Sequence, residues 1–178
     1  GEKTALVTGG SSGIGLAAAR LFSQQGARVF VCGRDEKALG AATEATQLRA
    51  VRCDVTKSQD RAHLLEVVRR ESQGLDVLFV NAGMADFPRF DEVDEARFDE
   101  LPDVNFKAAF FTIQQLLPVL NSGASVILTT STANTVGLSR LSLYGASKAA
   151  LRYLARGLYA ELAPRGIRAN ALSPGPSA

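Results

Sequence analysis

Tyr144 and Lys148 stand four residues apart in a stretch whose apolar residues recur at helical spacing, so their side chains share one helix face. A free phenol, with a pKa of about 10, exchanges protons poorly at neutral pH. An ammonium beside it stabilises the phenolate. Such a pair can give a proton to a carbonyl oxygen or take one from an alcohol. Ser131 closes an apolar, strand-like run and is placed to hydrogen-bond the same oxygen and orient it. A Tyr–Lys pair by itself is more often a solvated helix face. What distinguishes this one is a second motif near the N-terminus.

That motif is Thr8-Gly9-Gly10-Ser11-Ser12-Gly13-Ile14-Gly15, which follows a short β-type run and precedes a helical pattern. Glycines let the chain turn tightly and bring backbone N–H groups up to a pyrophosphate, which then sits at the positive end of the helix. The hydroxyls of Ser11 and Ser12 add donors. A glycine-rich turn alone is a weak signal; between a first strand and a helix, with a second strand after it, it becomes a dinucleotide site. The candidate contacts are Gly9, Ser11, Ser12, Gly13, Ile14 and Gly15. The second strand ends Val31-Cys32-Gly33-Arg34, without a carboxylate at its tip to grip a ribose 2′-OH. Arg34 stands where a guanidinium can pair with a 2′-phosphate, which favours NADP(H) over NAD(H). Asp35, next in line, argues the other way unless it caps the following helix.

Six short β-rich runs position these residues: Ala5–Thr8, Arg28–Cys32, Ala50–Cys53, Val77–Val80, Ser125–Thr130 and Arg168–Leu172. Helix-period stretches lie between them near Ile14–Gln24, Asp35–Ala45, Ser58–Ser72, Ala96–Leu120 and Ser142–Leu162. Alternation of this kind predicts an α/β fold, a Rossmann-like doubly wound parallel sheet with helices on both faces in three layers. Runs such as Val77–Val80 are apolar throughout, as strands covered on both faces should be. No linker or repeat divides the chain, so one domain is expected over 1–178.

Composition narrows the function classes. Of 178 residues, 46% are hydrophobic and 21% charged, and twenty Lys and Arg face eighteen Asp and Glu. The net charge of +2 is too balanced, and its basic residues too scattered, for a nucleic-acid binder. No apolar run approaches the roughly 18 residues of a membrane span, and no leader-like segment opens the chain. A soluble, cytoplasmic protein is the expectation. Cys32 and Cys53 lack metal or redox spacing and read as buried free thiols. No metal site is expected. His63, the only histidine, lies in a charged helical stretch with no nucleophile near it, which disfavours a Ser-His-Asp hydrolase.

The glycine loop has the TGxxxGxG form and resembles that of the classical short-chain dehydrogenase/reductase family. Asn81-Ala82-Gly83 after the fourth strand, Ser131 thirteen residues before Tyr144, and Tyr144-Gly-Ala-Ser-Lys148 extend the resemblance. Asp54-Val55, Asn105 and Pro174-Gly175 carry it over nearly the whole chain. The resemblance implies hydride exchange between a nicotinamide cofactor and a small ketone or secondary alcohol, with Tyr144 as acid/base. It further implies that Lys148 holds the nicotinamide ribose and that Asn105 supports a water in the proton relay. Asp54 and Val55 would meet the adenine and Asn81, Ala82 and Gly83 the adenine-ribose side, and Pro174 and Gly175, after the sixth strand, would also bind the cofactor. A non-catalytic nucleotide-binding regulator or scaffold of the same fold is the competing reading.

Two departures stand out. Pro102, three residues before Asn105, interrupts a stretch the family keeps helical and puts the pose of Asn105 in question. Relatives usually run several dozen residues past the position of Ala178, so the segment that covers the substrate is expected to be missing. Finally, the helix bearing Tyr144 has two apolar faces. Ser147, Leu151, Leu154, Leu158 and Leu162 should cover the sheet, while Ala146, Ala149, Ala150, Tyr153, Gly157 and Ala160 form a second, uncharged face. Phe106, Phe110, Phe111 and Ile113 make the preceding helix similarly apolar. The expectation is a homodimer or homotetramer through these helices, as the resemblance also implies, the alternative cover being chain beyond Ala178.

Overall fold

The computed structural model describes residues 3–44 and 46–175. Six parallel strands, β1 (Thr4–Thr8), β2 (Arg28–Gly33), β3 (Arg49–Arg52), β4 (Leu75–Val80), β5 (Leu120–Thr129) and β6 (Arg168–Leu172), form one sheet. Their order is β3-β2-β1-β4-β5-β6, so the winding reverses between β1 and β4. A crevice opens there at the carboxyl ends of the strands, where open α/β sheets bind ligands.

Every residue of β1 is buried. Its side chains alternate between two cores: Ala5 and Val7 join Val29 and Val31 beneath α1 (Gly13–Gln24) and α2 (Glu36–Thr43). Leu6 joins Phe30, Leu78 and Val126 on the other face, beneath α3 (Ser58–Glu71), α5 (Ala108–Leu116) and α6 (Ser142–Leu162). Two covered faces favour apolar side chains along the middle of these strands, and the buried threonines of β1 stand at its ends, Thr4 and Thr8.

The expected elements form within a few residues, with one exception. Instead of a single helix over 96–120, α4 (Glu95–Pro102) passes into a wide π-type turn over Asp103–Lys107, then α5, then a tight turn at Leu117–Val119. Pro102 brings no N–H to the helical ladder, and Pro118 ends α5 in the same way. A widened turn accommodates an interruption that a regular helix would not. The β5 strand also starts earlier than expected, at Leu120, because its irregular first half pairs through Leu120 with Leu75 before the register shifts. The α2 helix stops at Thr43; Ala45, the predicted end, lies outside the described residues. His63 is exposed on α3.

Candidate active site

A cleft of about 500 Å³ lies over the carboxyl ends of β1, β2 and β4, within the usual range for a small-molecule site. Its walls carry Gly9, Ser11, Ser12, Gly13, Ile14, Arg34, Asp54, Val55, Asn81, Ala82 and Gly83. Eleven cofactor candidates thus converge from four loops. Gly15 packs underneath rather than on the wall: a Cβ there would sit 2.2 Å from the Gly9 carbonyl oxygen and 2.6 Å from Asn81 Nδ2. At Gly9, with φ of 63°, a Cβ would lie 2.9 Å from Ala82 Cα. The β1 and β4 loops can therefore touch only because both positions are glycine.

The start of α1 is prepared for an anion. Ser12, its N-cap, places no side-chain bond on the first-turn amides, so their donors and the helix dipole face the cleft. The start of α2 differs. Asp35, itself on the cleft wall, accepts at Oδ1 from the amides of Lys37 (2.9 Å) and Ala38 (3.1 Å) and so caps the helix with one carboxylate oxygen. Arg34 enters no ion pair among the described residues. Burial alone would raise the Asp54 carboxyl, but the hydroxyl and amide of Thr56, with the Arg34 and Lys57 charges, hold it below its ordinary range.

The floor includes Cys32 and Cys53. Both are buried free thiols, and the neighbouring Cys53 side chain, with burial, pushes the Cys32 thiol up. They are packing thiols rather than nucleophiles.

Asn81 ties the β4 loop to its neighbours. Its amide and that of Ala82 both donate to Thr8 Oγ1, at 2.9 and 3.0 Å. Its carboxamide donates to the Gly9 carbonyl (3.3 Å) and accepts from Thr129 Oγ1 (3.0 Å). Gly83 ends that loop, and a Cβ there would lie 2.9 Å from Asn105 Oδ1 and 3.3 Å from Lys148 Nζ. The cleft and the proton-transfer candidates therefore meet at Gly83.

Asn105 is fully buried inside the widened turn. Its carboxamide accepts from the Met84 amide (2.8 Å) and donates to the Met84 carbonyl (3.0 Å) and to Ser147 Oγ (3.2 Å). Pro102 thus leaves Asn105 held from both sides rather than displaced. Lys148 is only 5% exposed, and its ammonium donates to the Thr129 carbonyl at 3.1 Å and lies 5.7 Å from the centre of the Tyr144 ring. Burial pulls its pKa down to about 8. Ser131 caps the turn Thr132–Asn134, its Oγ accepting from the Ala133 amide at 3.2 Å, which leaves its hydroxyl hydrogen to donate outward. That turn lies against α6, since a Cβ on Gly145 would come within 2.8 Å of the Ala133 carbonyl oxygen. None of Ser131, Tyr144, Lys148 and Asn105 is on the cleft wall itself; Asn105 and Lys148 stand directly behind Gly83, and Tyr144 and the Ser131 turn adjoin them through α6. Pro174 reaches the Ser131 turn by accepting from the Thr132 amide at 3.0 Å. Gly175 is exposed beside it.

Two contributors carried no sequence signal. The ring of Phe87 meets that of Tyr144 edge-on, with centroids 5.3 Å apart, and Arg140 Nε holds the Phe87 carbonyl at 2.8 Å. Neither residue belongs to a periodic run, and 53 positions separate them. Val104, on the cleft wall, was hidden in the same way by the break in the helix.

A parallel sheet of this order, with a glycine-lined cleft at its switch point, is the architecture of a dinucleotide-binding α/β protein. The profile of the short chain dehydrogenases matches residues 3–178, and the chain belongs to that family, a family of NAD(P)-dependent oxidoreductases. It is 44% identical over 176 residues to an oxidoreductase of Sarocladium schorii, covering 97% of this chain and 71% of that protein. To dehydrogenase/reductase SDR family member 4 of Rattus norvegicus it is 34% identical over 182 residues, covering 98% of this chain and 65% of that one. The NADPH-bound short chain oxidoreductase of Pseudomonas aeruginosa, described as having an atypical catalytic center, superposes with a TM-score of 0.92 at 29% identity, over 96% of this chain and 70% of that one. The chain thus spans about two thirds to seven tenths of the length of these relatives.

Proposed function

We propose that this protein exchanges hydride between NADP(H), in preference to NAD(H), and a small ketone or secondary alcohol, with Tyr144 as proton donor or acceptor. The observation that carries the reading is the contact at Gly83. This wall residue of the cleft leaves room only for hydrogen beside Lys148 Nζ and Asn105 Oδ1, so a dinucleotide lying along the wall ends at the Tyr144 group.

The residues present fit such a cofactor. Gly9 to Ile14 and the open end of α1 would take the pyrophosphate, Asp54 and Val55 the adenine, and Lys148 the ribose next to the nicotinamide. When bound, the nicotinamide supplies the hydride donor or acceptor. Ser131 orients the substrate oxygen through its free hydroxyl hydrogen. Tyr144 gives that oxygen a proton on reduction and removes one on oxidation, and the Lys148 ammonium, close to its ring, steadies the phenolate. The preference for NADP(H) is supported by a division of labour after β2: Asp35 caps α2 through Oδ1, while Arg34, on the wall and in no ion pair among the described residues, is the cation placed to meet a 2′-phosphate. The same reading extends to assembly, a homodimer or homotetramer formed through α5 and α6.

The test is oxidation of NADPH and NADH with a panel of ketones, followed by absorbance, for the parent protein, Tyr144→Phe and Arg34→Ala. Phe keeps the ring against Phe87 and deletes only the exchangeable proton, so turnover is lost while cofactor binding stays. Arg34→Ala weakens NADPH by about 1.5–3 kcal/mol, the range for a charge-assisted bond, and leaves NADH nearly unchanged. Full activity in Tyr144→Phe would remove the proton-transfer role, and equal losses for the two cofactors would remove the NADP(H) preference.

A further inference from the structure

Asn134 has no part in the roles above, yet its carboxamide joins three separate pieces of the site. Its nitrogen donates to the Ser131 carbonyl and lies 3.1 Å from Ser173 Oγ and 3.3 Å from Thr130 Oγ1. Its oxygen accepts from Arg152 Nη1 at 2.9 Å. Thr130 Oγ1 in turn meets Ser173 Oγ at 2.7 Å and donates to the Leu172 carbonyl at 2.9 Å. One side chain therefore connects the turn that carries Ser131, the segment of Ser173 and Pro174 beyond β6, and α6 one turn past Lys148.

Arg152 decides which way the carboxamide points. A guanidinium only donates, so the oxygen must face Arg152 and the NH2 must face the Ser131 carbonyl. The reverse orientation would set donor against donor and carbonyl against carbonyl. No carboxylate pairs with Arg152 among the described residues. Its partly buried cation is directed at a neutral amide oxygen, an arrangement that stabilises little by charge but sets a direction.

We infer that Asn134 and Arg152 are positioning residues. They hold the Ser131 hydroxyl and the Pro174 segment at a fixed setting relative to Tyr144 and Lys148, so that substrate oxygen and cofactor end are presented in register. The inference rests on the dehydrogenase reading for its kinetic consequence and on the hydrogen bonds alone for its structural one.

The decisive variant is Asn134→Asp, compared with Asn134→Ala, Arg152→Met and the double variant Asn134→Ala/Arg152→Met. Aspartate keeps the acceptor for Arg152 and adds opposite charge, but replaces the donor facing the Ser131 carbonyl with an acceptor. Stability by thermal unfolding should hold or rise, while kcat with a ketone substrate falls about tenfold to a hundredfold, the scale of small misplacements in an active site. Cofactor Kd, measured by fluorescence, should stay within about threefold, because the pyrophosphate loop is untouched. The double variant should lose no more kcat than the worse single one, since both remove one device. Independently of turnover, hydrogen exchange at the Thr132 amide, which donates to Pro174, should quicken about tenfold in Asn134→Asp, while the Gly145 amide, bonded to Leu141 at 2.7 Å, keeps its rate. Unchanged kcat together with unchanged exchange at Thr132 would overturn the inference, as would losses that simply track the melting temperature. A parent protein without turnover would count against the dehydrogenase reading, and the exchange measurement would then decide this one by itself.

Discussion

At the scale of single residues, the most costly feature of the site is the burial of Lys148. With its pKa lowered to about 8 by desolvation, the folded protein binds the lysine proton less tightly than the unfolded chain does. The penalty is therefore complete below pH 8 and fades as pH rises toward the ordinary lysine value, where the unfolded chain also releases its proton. Replacing Lys148 with Met should stabilise the ligand-free protein by roughly 1–3 kcal/mol at pH 7, even though it removes the bond to Thr129. That gain should shrink steadily between pH 8 and 10.5, the window set by the shifted and ordinary values. Thermal unfolding at several pH values checks both size and slope, and the same variant should have no reductase activity. A destabilising Met substitution, or a gain independent of pH, would mean that the ammonium is well solvated. Tyr144, Lys148 and Ser131 were legible in the sequence because spacing along one helix and the end of one strand suffice to place them. Phe87, Arg140 and Asn134 were not, because their contacts depend on where separate loops come to rest.

At the scale of elements, the phosphate loop works through close approach. The same substitution should give opposite results at two glycines. Gly15→Ala forces a Cβ against the Gly9 carbonyl oxygen at 2.2 Å, and the loop must move at a cost of about 1–3 kcal/mol. Because the displaced atoms are those proposed above to take the pyrophosphate, cofactor affinity should fall about tenfold or more. Gly40→Ala, within α2, finds nothing within 4 Å of the new methyl and should raise stability by roughly 0.5–1 kcal/mol through helix preference alone. Chemical denaturation with and without NADPH measures both, and a cofactor affinity unaltered by Gly15→Ala would remove the close-approach argument. The order of strands and helices was readable because the central strands β1, β2 and β4 are largely apolar and the helices between them keep their period, while the edge strands β3 and β6 are short and carry exposed arginines. The π-type turn at Asp103–Lys107 was not. Pro102 marked an interruption, but whether the chain kinks, stops or widens depends on what holds Asn105, and that is Met84 and Ser147 from elsewhere in the fold.

At the scale of the whole molecule, the second face of α6 is uncovered as the sequence pattern anticipates, with Ala146, Ala149 and Ala160 exposed and Tyr153 at 75% exposure. Beside it Phe110 and Phe111 of α5 are 39% and 38% exposed. An apolar groove between the helices is lined by Phe106, Phe110 and Ile113 on one side and Ala150, Tyr153 and Gly157 on the other. Leaving such a patch in water is unfavourable, and a two-fold contact buries it twice with one set of residues. In the proposed dimer, small side chains would let two copies of α6 approach closely, so a large charged group at the centre should prevent contact. Gly157→Arg is the suitable probe because a Cβ at Gly157 meets nothing within 4 Å in its own chain. Replacing a helical glycine also gains up to about 1 kcal/mol of helix preference, so the isolated subunit should fold at least as well as the parent. Light scattering at micromolar concentration should then show the parent protein as a dimer or tetramer and the variant as a monomer with an unchanged far-ultraviolet spectrum. A monomeric parent would refute the assembly, and a variant that stays associated would move the contact to another face.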